Sequence, residues 1–205
     1  MINKPYSESC DQNKEPILTV IKQWFTRPDS TVLEIGSGTG QHASFFPRFL
    51  DSVFWQPSDV ESNIAAINAW RSEAGLDNVL PPKILNVNQP DWPISQVDYI
   101  FSANTVHIMS WSDVKKMFSG IRDVLQPGGI FCLYGPFNYN GTFTSPSNTQ
   151  FDQWLKERDP LSGIRDFEAL RDLGCSDKTG LNKLTIIKDH EMPANNRILV
   201  FQLEE

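Results

Sequence analysis

The chain has 205 residues, 40% of them hydrophobic and 21% charged, which excludes a disordered chain and suffices for one α/β core. Its formal net charge of −7 disfavours a nucleic-acid partner, which calls for a basic surface. Cys10, Cys132 and Cys175 are scattered and form no C-x-x-C pair, so free thiols in a reducing compartment are expected. Residues 1–10 are polar and no apolar run approaches a membrane span, which predicts a cytoplasmic protein with no membrane partner.

In chain order, residues 1–15 read as polar and irregular. Pro16 suits the first turn of a helix whose apolar face is Ile17, Leu18, Val20, Ile21, Trp24 and Phe25, closing before Pro28. Residues 1–28 are thus an N-terminal helical segment. The run Thr31-Val32-Leu33-Glu34-Ile35 is a buried strand that enters the turn Gly36-Ser37-Gly38-Thr39-Gly40. A helix is predicted over 41–50, with Phe45, Phe46, Phe49 and Leu50 inward and Pro47 tolerated only in its opening turn. A second strand covers 53–56, a helix 61–74 closed by Gly75, a third strand 83–87, a loop 88–93 and a fourth strand 97–103. After Asn104-Thr105-Val106-His107, Ser112 is read as the cap of a helix with Val114, Met117, Phe118, Ile121 and Leu125 on one face, stopped by Pro127-Gly128-Gly129. The apolar run 130–134 is a fifth, central strand. Residues 137–165 break the rhythm and read as a lid-like insertion with one helical piece near 151–157. A helix over 167–173, capped by Asp166 and stopped by Gly174, precedes two antiparallel strands, 184–188 and 197–203. The expected fold is α/β and Rossmann-like: a seven-stranded, mostly parallel sheet with an antiparallel last strand and helices on both faces. No repeat, low-complexity tract or linker divides 1–205, so a single domain is expected.

The glycines let a ligand press against the backbone, and the next helix directs unpaired N–H groups at the turn. A dinucleotide fingerprint would place its third glycine or an alanine at position 41, where this chain has Gln41. Glu34, at the strand end, suits a cationic amino acid group better than a pyrophosphate. The turn is therefore read as a cradle for S-adenosylmethionine rather than a nicotinamide cofactor; the bland alternative is a glycine-rich turn without ligand. Asp59 stands where an acid holds the ribose hydroxyls, and it could equally cap the 61–74 helix. The cofactor set is Glu34, Gly36, Ser37, Gly38, Thr39, Gly40, Asp59, Asn86, Val87 and Asn104, with Asn86 and Val87 where adenine would rest.

Ligands of open parallel sheets bind beyond the carboxyl ends of the strands. That edge should gather His107, Trp111, Tyr134, Tyr139, Asn148, Asn195 and Asn196 around one crevice, suited to a small polar, neutral or zwitterionic substrate. His107 is the candidate base, with an unperturbed pKa of about 6.5; positioning the substrate or packing under the loop is its equal alternative. His42 reads as a cofactor-shell or structural residue and His190 as surface, and the three separated histidines give no metal site. There is no Asn/Asp-Pro-Pro-aromatic run after the fourth strand, as in methylases of adenine or glutamine amino groups. Nor is a cysteine nearby to serve as the nucleophile of a cytosine-carbon methylase.

Several motifs spread along the chain sharpen this reading. Asn13-Lys14-Glu15-Pro16-Ile17, Ser37-Gly38-Thr39-Gly40-Gln41-His42 and Trp55-Gln56-Pro57-Ser58-Asp59 resemble the methyltransferase-like protein 26 family, a domain-of-unknown-function group. So do Asn104 to His107 with Ile108 and Trp111, Tyr134-Gly135-Pro136-Phe137, and Met192-Pro193-Ala194-Asn195-Asn196. The resemblance implies the class I methyltransferase fold and S-adenosylmethionine as cofactor, and adds Asn13 and Lys14 as crevice residues. Gln12 stands where that family is expected to have arginine, and Gly36 where it more often has alanine. The alternatives are a catalytically silent S-adenosylmethionine-binding module, a nicotinamide oxidoreductase, and a methyltransferase of protein or RNA.

Overall fold

The computed structural model describes residues 4–176 and 182–204, so residues 1–3 of the expected N-terminal segment lie outside the described residues. Helix α1, Glu8–Ile21, starts earlier than its apolar pattern, capped by Ser7 and carrying Pro16 inside it. Its first turns face water or polar groups, so nothing periodic announces them. Strand β1, Ser30–Ile35, leads through the glycine turn to α2, Gln41–Phe45, which gives way to a 3-10 turn over Phe46–Arg48. Pro47 sits at the start of that turn, where its missing N–H is harmless. Phe46 and Leu50 are buried, but Phe49 is 57% exposed, not inward as the periodicity suggested. Strand β2, Val53–Asp59, runs past Pro57 because it pairs with β1 as far as Ser58 opposite Ile35.

Helix α3, Glu61–Ala74, closes on Gly75, and β3 is reduced to Lys83–Ile84. Strand β4 is Val97–Ala103 and helix α4 is Trp111–Val124. The α4 cap is Ser110, whose hydroxyl accepts the Asp113 N–H, rather than Ser112. Strand β5 is Leu125–Gly135: Val97 pairs with Leu125 and Tyr99 with Ile130, so Pro127-Gly128-Gly129 forms an irregularity within the strand rather than a loop before it. The expected insertion holds β6, Phe137–Asn138, and α5, Pro146–Arg158, whose Ser145 cap and Pro146 opening read as loop in the sequence. Strand β7, Arg165–Asp166, pairs with β6. Helix α6, Phe167–Cys175, continues through Gly174, where a Cβ would meet the Leu184 carbonyl at 2.3 Å. The glycine is there for close approach, not as a stop. Asp166 precedes α6 without a side-chain capping bond. Strands β8, Leu184–Met192, and β9, Asn196–Leu203, complete the chain.

The sheet has seven strands in the order β3-β2-β1-β4-β5-β9-β8. β9 is antiparallel to both β5 and β8, and the other pairs are parallel. Side chains alternate between two cores as the pleat demands. Leu33, Ile100, Phe131, Leu133, Leu199 and Phe201 meet α4 and α6 on one face. Val32, Tyr99, Phe101, Cys132 and Val200 meet α1 and α2 on the other. Fully buried rings such as Phe131 and Phe201, 5.4 Å apart and stacked, each stabilise the sheet by roughly 1.5–3 kcal/mol. The chain turns back between β3 and β4, so β1 and β4 form the switch point. Among the described residues no helix is long and apolar enough to cross a membrane.

Candidate functional site

At the switch point the glycine turn is tied to β2 on several sides. The Gly36 and Ser37 N–H groups both donate to the Ser58 carbonyl at 3.0 Å. The Ser58 N–H donates to the Ser37 hydroxyl at 3.1 Å, and the Ser58 hydroxyl to the Glu34 carbonyl at 2.7 Å. Asp59 closes the turn: its Oδ2 accepts the Gly38 N–H at 2.7 Å. Its Oδ1 accepts the Val60 N–H at 2.7 Å and the Asn63 amide at 3.0 Å. Asp59 therefore does steady the start of α3, but the formal cap is Val60.

The glycines divide the work. A Cβ on Gly38, at φ +56°, would meet nothing within 4 Å and would stand in open space. A Cβ on Gly40, at φ +90°, would meet the Ile67 Cα at 2.8 Å. Gly40 thus lets α3 pack against the turn and does not line the cavity expected of a cofactor-binding glycine.

A cavity of about 650 Å3 lies over the carboxyl ends of β1, β2 and β4, lined by Ile35, Asp59 and Ala103 among others. That is the size of a small-molecule site. Of the expected cofactor residues, Gly36, Ser37, Gly38, Thr39, Asp59, Asn86, Val87 and Asn104 line it. Glu34 does not. Strand alternation puts it on the face of Val32, where its carboxylate accepts Trp55 Nε1–H at 2.9 Å. Burial pushes its pKa up to about 7, with the Trp55 hydrogen bond opposing.

The acceptor-side residues divide into separate groups. His107 is buried at 4% exposure behind the cavity wall, edge-on to Phe151 at 5.3 Å. Its Nδ1 has no hydrogen-bond partner among the described residues. That atom would stand 3.7 Å from a Cβ on Gly135, beside the Asn104 side chain. Burial, with the Arg165 charge adding, lowers its pKa to about 4. The end of the insertion is fastened onto this loop. Gly163 N–H donates to the His107 carbonyl at 2.9 Å, and the Ser162 hydroxyl to the Ile108 carbonyl at 3.2 Å. Arg165 donates to the carbonyls of Val106, Met109 and Leu161 and faces the Trp111 ring.

Tyr139, Asn148, Asn195 and Asn196 do not share the cavity. The Tyr139 hydroxyl donates to Asp189 at 2.7 Å, and burial is the main reason its pKa is raised. The Asn148 amide donates to Thr144 and to the Asn195 carbonyl, while Asn196 donates to the Pro193 carbonyl. The strand order explains the separation: these residues sit beyond β5, at the β9–β8 end, whereas the cavity lies over β2-β1-β4. Asn13 is buried and bonded to His42 Nε2 at 2.7 Å, and burial raises the pKa of Tyr134, with Asn13 opposing. Lys14 pairs with Asp11 beside a separate surface depression. Gln12 bonds Glu8 on the exposed side of α1.

His42, expected as a cofactor-shell or structural residue, lines the wall from α2. Residues that the sequence did not assign to the site complete it: Ser7, Ser9 and Cys10 from the N-terminal segment and Leu161 from the insertion. Their only signal was closeness in space. Among the described residues no Lys or Arg lines the cavity. Among the described residues no group of His, Cys, Asp and Glu could hold a metal ion.

The chain belongs to the family described as "Protein of unknown function (DUF938)", matched over residues 4–203. Its fold is that of class I S-adenosylmethionine-dependent methyltransferases. The S-adenosylmethionine-dependent methyltransferase SibL, in its apo form, superposes with TM-score 0.77 at 17% identity, covering 96% of this chain and 56% of that one. An O-methyltransferase family protein from Burkholderia thailandensis gives 0.78 at 12%, covering 97% and 58%. Mitomycin 7-O-methyltransferase MmcR gives 0.78 at 11%, covering 95% and 54%. The non-reducing polyketide synthase mapC of Penicillium brevicompactum is 29% identical over 126 residues, 57% of this chain and 5% of that protein. The chain thus spans a little over half of the solved chains and a small fraction of the synthase. At these identities the structural likeness is one of fold.

Proposed function

We propose that this member of the DUF938 family is an S-adenosylmethionine-dependent methyltransferase acting on a small polar molecule. One observation carries the reading: the cavity at the switch point is lined by the glycine turn and by Asp59, which is bonded to that turn at Gly38. The residues suit an adenosyl ligand. Gly38 leaves open the space that a side chain would fill. Asp59 has four lone pairs, three of which meet Gly38, Val60 and Asn63. The fourth, on Oδ2, is placed to accept a ribose hydroxyl. Asn86 and Val87 would flank the base, and Ser37, Thr39 and Asn104 the amino acid end. When bound, the cofactor supplies a methyl group already activated on a sulfonium.

The chain then has to hold the acceptor in line and exclude water. His107 is neutral at pH 7, because burial holds its pKa near 4, and it orients the acceptor or takes its proton once the wall in front of its ring gives way. Among the described residues the wall carries Asp59, Asp113 and Asp159 and no Lys or Arg, which disfavours anionic acceptors. With the net charge of −7 it supports a small-molecule partner rather than nucleic acid; the cytoplasm is the compartment proposed. The resemblance to the methyltransferase-like protein 26 family belongs to this reading. Its motif residues Asn13, His42 and Asp59 are the ones that build the floor and rim of the turn.

Parallel calorimetric titrations with S-adenosylmethionine, S-adenosylhomocysteine and NAD test it. Micromolar binding of the first two without the third is expected. NAD binding alone, or no binding of either adenosyl ligand, would overturn the assignment.

A further inference from the structure

We infer that Gln41 is a positioning residue for the cavity: its side-chain amide holds residues 4–10 across the glycine turn as a strap, which parts to release the nucleoside. The inference rests on the adenosyl-binding reading above. Ser7, Ser9 and Cys10 belong to the cavity wall, yet they precede the first strand and are no part of the sheet. Gln41 places them. Its Oε1 accepts the Ser7 N–H at 2.5 Å, and its Nε2 donates to the Ser7 carbonyl at 3.1 Å. That is the two-bond grip a neighbouring strand would offer, made here by one side chain. The Thr39 hydroxyl donates to the same Oε1 at 3.0 Å. The Ser7 N–H can only donate and the Ser7 carbonyl can only accept, so the amide has one orientation. Position 41 is where a dinucleotide fingerprint carries its third glycine, and glycine could make neither bond.

The remaining anchors of the strap are few and polar. Trp70 Nε1–H donates to the Pro5 carbonyl at 2.8 Å. The Lys4 ammonium lies 3.5 Å over the Trp70 ring and pairs with Glu73 at 2.6 Å. Tyr6 is exposed, and the buried apolar side chains of α1 begin only at Ile17. Below the strap, Asn13 and His42 make a buried bond at 2.7 Å. The molecule therefore has a firm joint at Asn13 and a polar latch at residues 4–10. A segment with hydrogen bonds but no buried apolar contacts opens without unfolding the core.

Two readouts test this in the full-length chain. The first is the dissociation rate of S-adenosylhomocysteine from wild type, Gln41→Ala, Gln41→Glu and Trp70→Phe. Loss of both amide bonds should speed release about ten- to hundred-fold. Gln41→Glu keeps the acceptor for Ser7 and loses the donor, so it should fall between. Trp70→Phe keeps the ring, loses the Pro5 bond, and should also speed release; it stands in if Gln41→Ala fails to fold. The second readout is the alkylation rate of Cys10 by iodoacetamide in a Cys175→Ser background, Cys132 being buried. S-adenosylhomocysteine should protect Cys10, and Gln41→Ala should expose it faster with or without ligand. If wild type binds no adenosyl ligand, the functional reading fails and this one falls with it. If wild type binds but the folded variants leave release and Cys10 alkylation unchanged, the strap alone is overturned.

Discussion

Asp59 Oδ2 accepts the Gly38 N–H at 2.7 Å, joining the end of β2 to the turn that follows β1. The carboxylate sets the shape of the turn and lines the cavity at the same time. Asp59→Asn keeps the size but loses the charge, and with its oxygen kept on Val60 and Asn63 it turns its NH2 toward the Gly38 N–H donor. S-adenosylhomocysteine affinity should fall about ten- to hundred-fold by calorimetry. An unchanged affinity would remove Asp59 from the binding role.

Gly38 and Gly40 should respond differently to alanine. Gly38→Ala puts a methyl group in open space at φ +56°, so it should cost about 1 kcal/mol of stability while weakening cofactor binding. Gly40→Ala drives a methyl group into the α3 backbone at 2.8 Å and should lower the melting temperature far more. Thermal melts with a parallel titration separate the two, and equal melting temperatures would contradict the assignment.

Glu34 makes stability depend on pH. Its folded pKa, about 7, lies above the ordinary 4.5, so the folded chain binds more protons and stability falls as pH rises between these values. The buried imidazoles of His42 and His107, lowered to about 4, act in the opposite sense, and their contribution is lost as pH falls from 6.5 towards 4. Glu34→Gln isolates the carboxyl. The stability of the variant relative to wild type should improve by on the order of 3 kcal/mol from pH 4.5 to 7.5, as read by denaturant unfolding. A flat difference would show that Glu34 ionises normally.

His107→Ala should leave S-adenosylhomocysteine affinity within about two-fold, because its ring lies behind the wall. Turnover of a true acceptor should drop on the order of 100-fold if the imidazole takes a proton. In wild type, that activity should persist below pH 6 and fail only toward pH 4, following the lowered pKa. Undiminished turnover in the variant would leave His107 a packing residue.

Local pattern made much of this protein legible. Strand 97–103 and helix 61–74 match β4 and α3 residue for residue, because the apolar run bounds the strand and Gly75 closes the helix. Where competing signals met, the sequence misled. Polar residues hid the first turns of α1 and α5, and Gly174 read as a stop although it marks the approach of α6 to β8. Glu34 looked like a ligand from its place before the turn, but the pleat sends it into the core against Trp55.

The sequence by itself determined the alternation of strand and helix, the glycine turn and the presence of an acid after β2, since all three follow from periodicity and spacing; that the acid closes the turn came from the structure. Only the tertiary structure decided which side chains face the cavity. Strand order separated the amides near Asn148 and Asn195 from the switch point. Strand pleat turned Glu34 away, and the amide of Gln41 brought Ser7 over the turn from 34 positions away. Those outcomes depend on contacts between distant segments, and no local pattern encodes them.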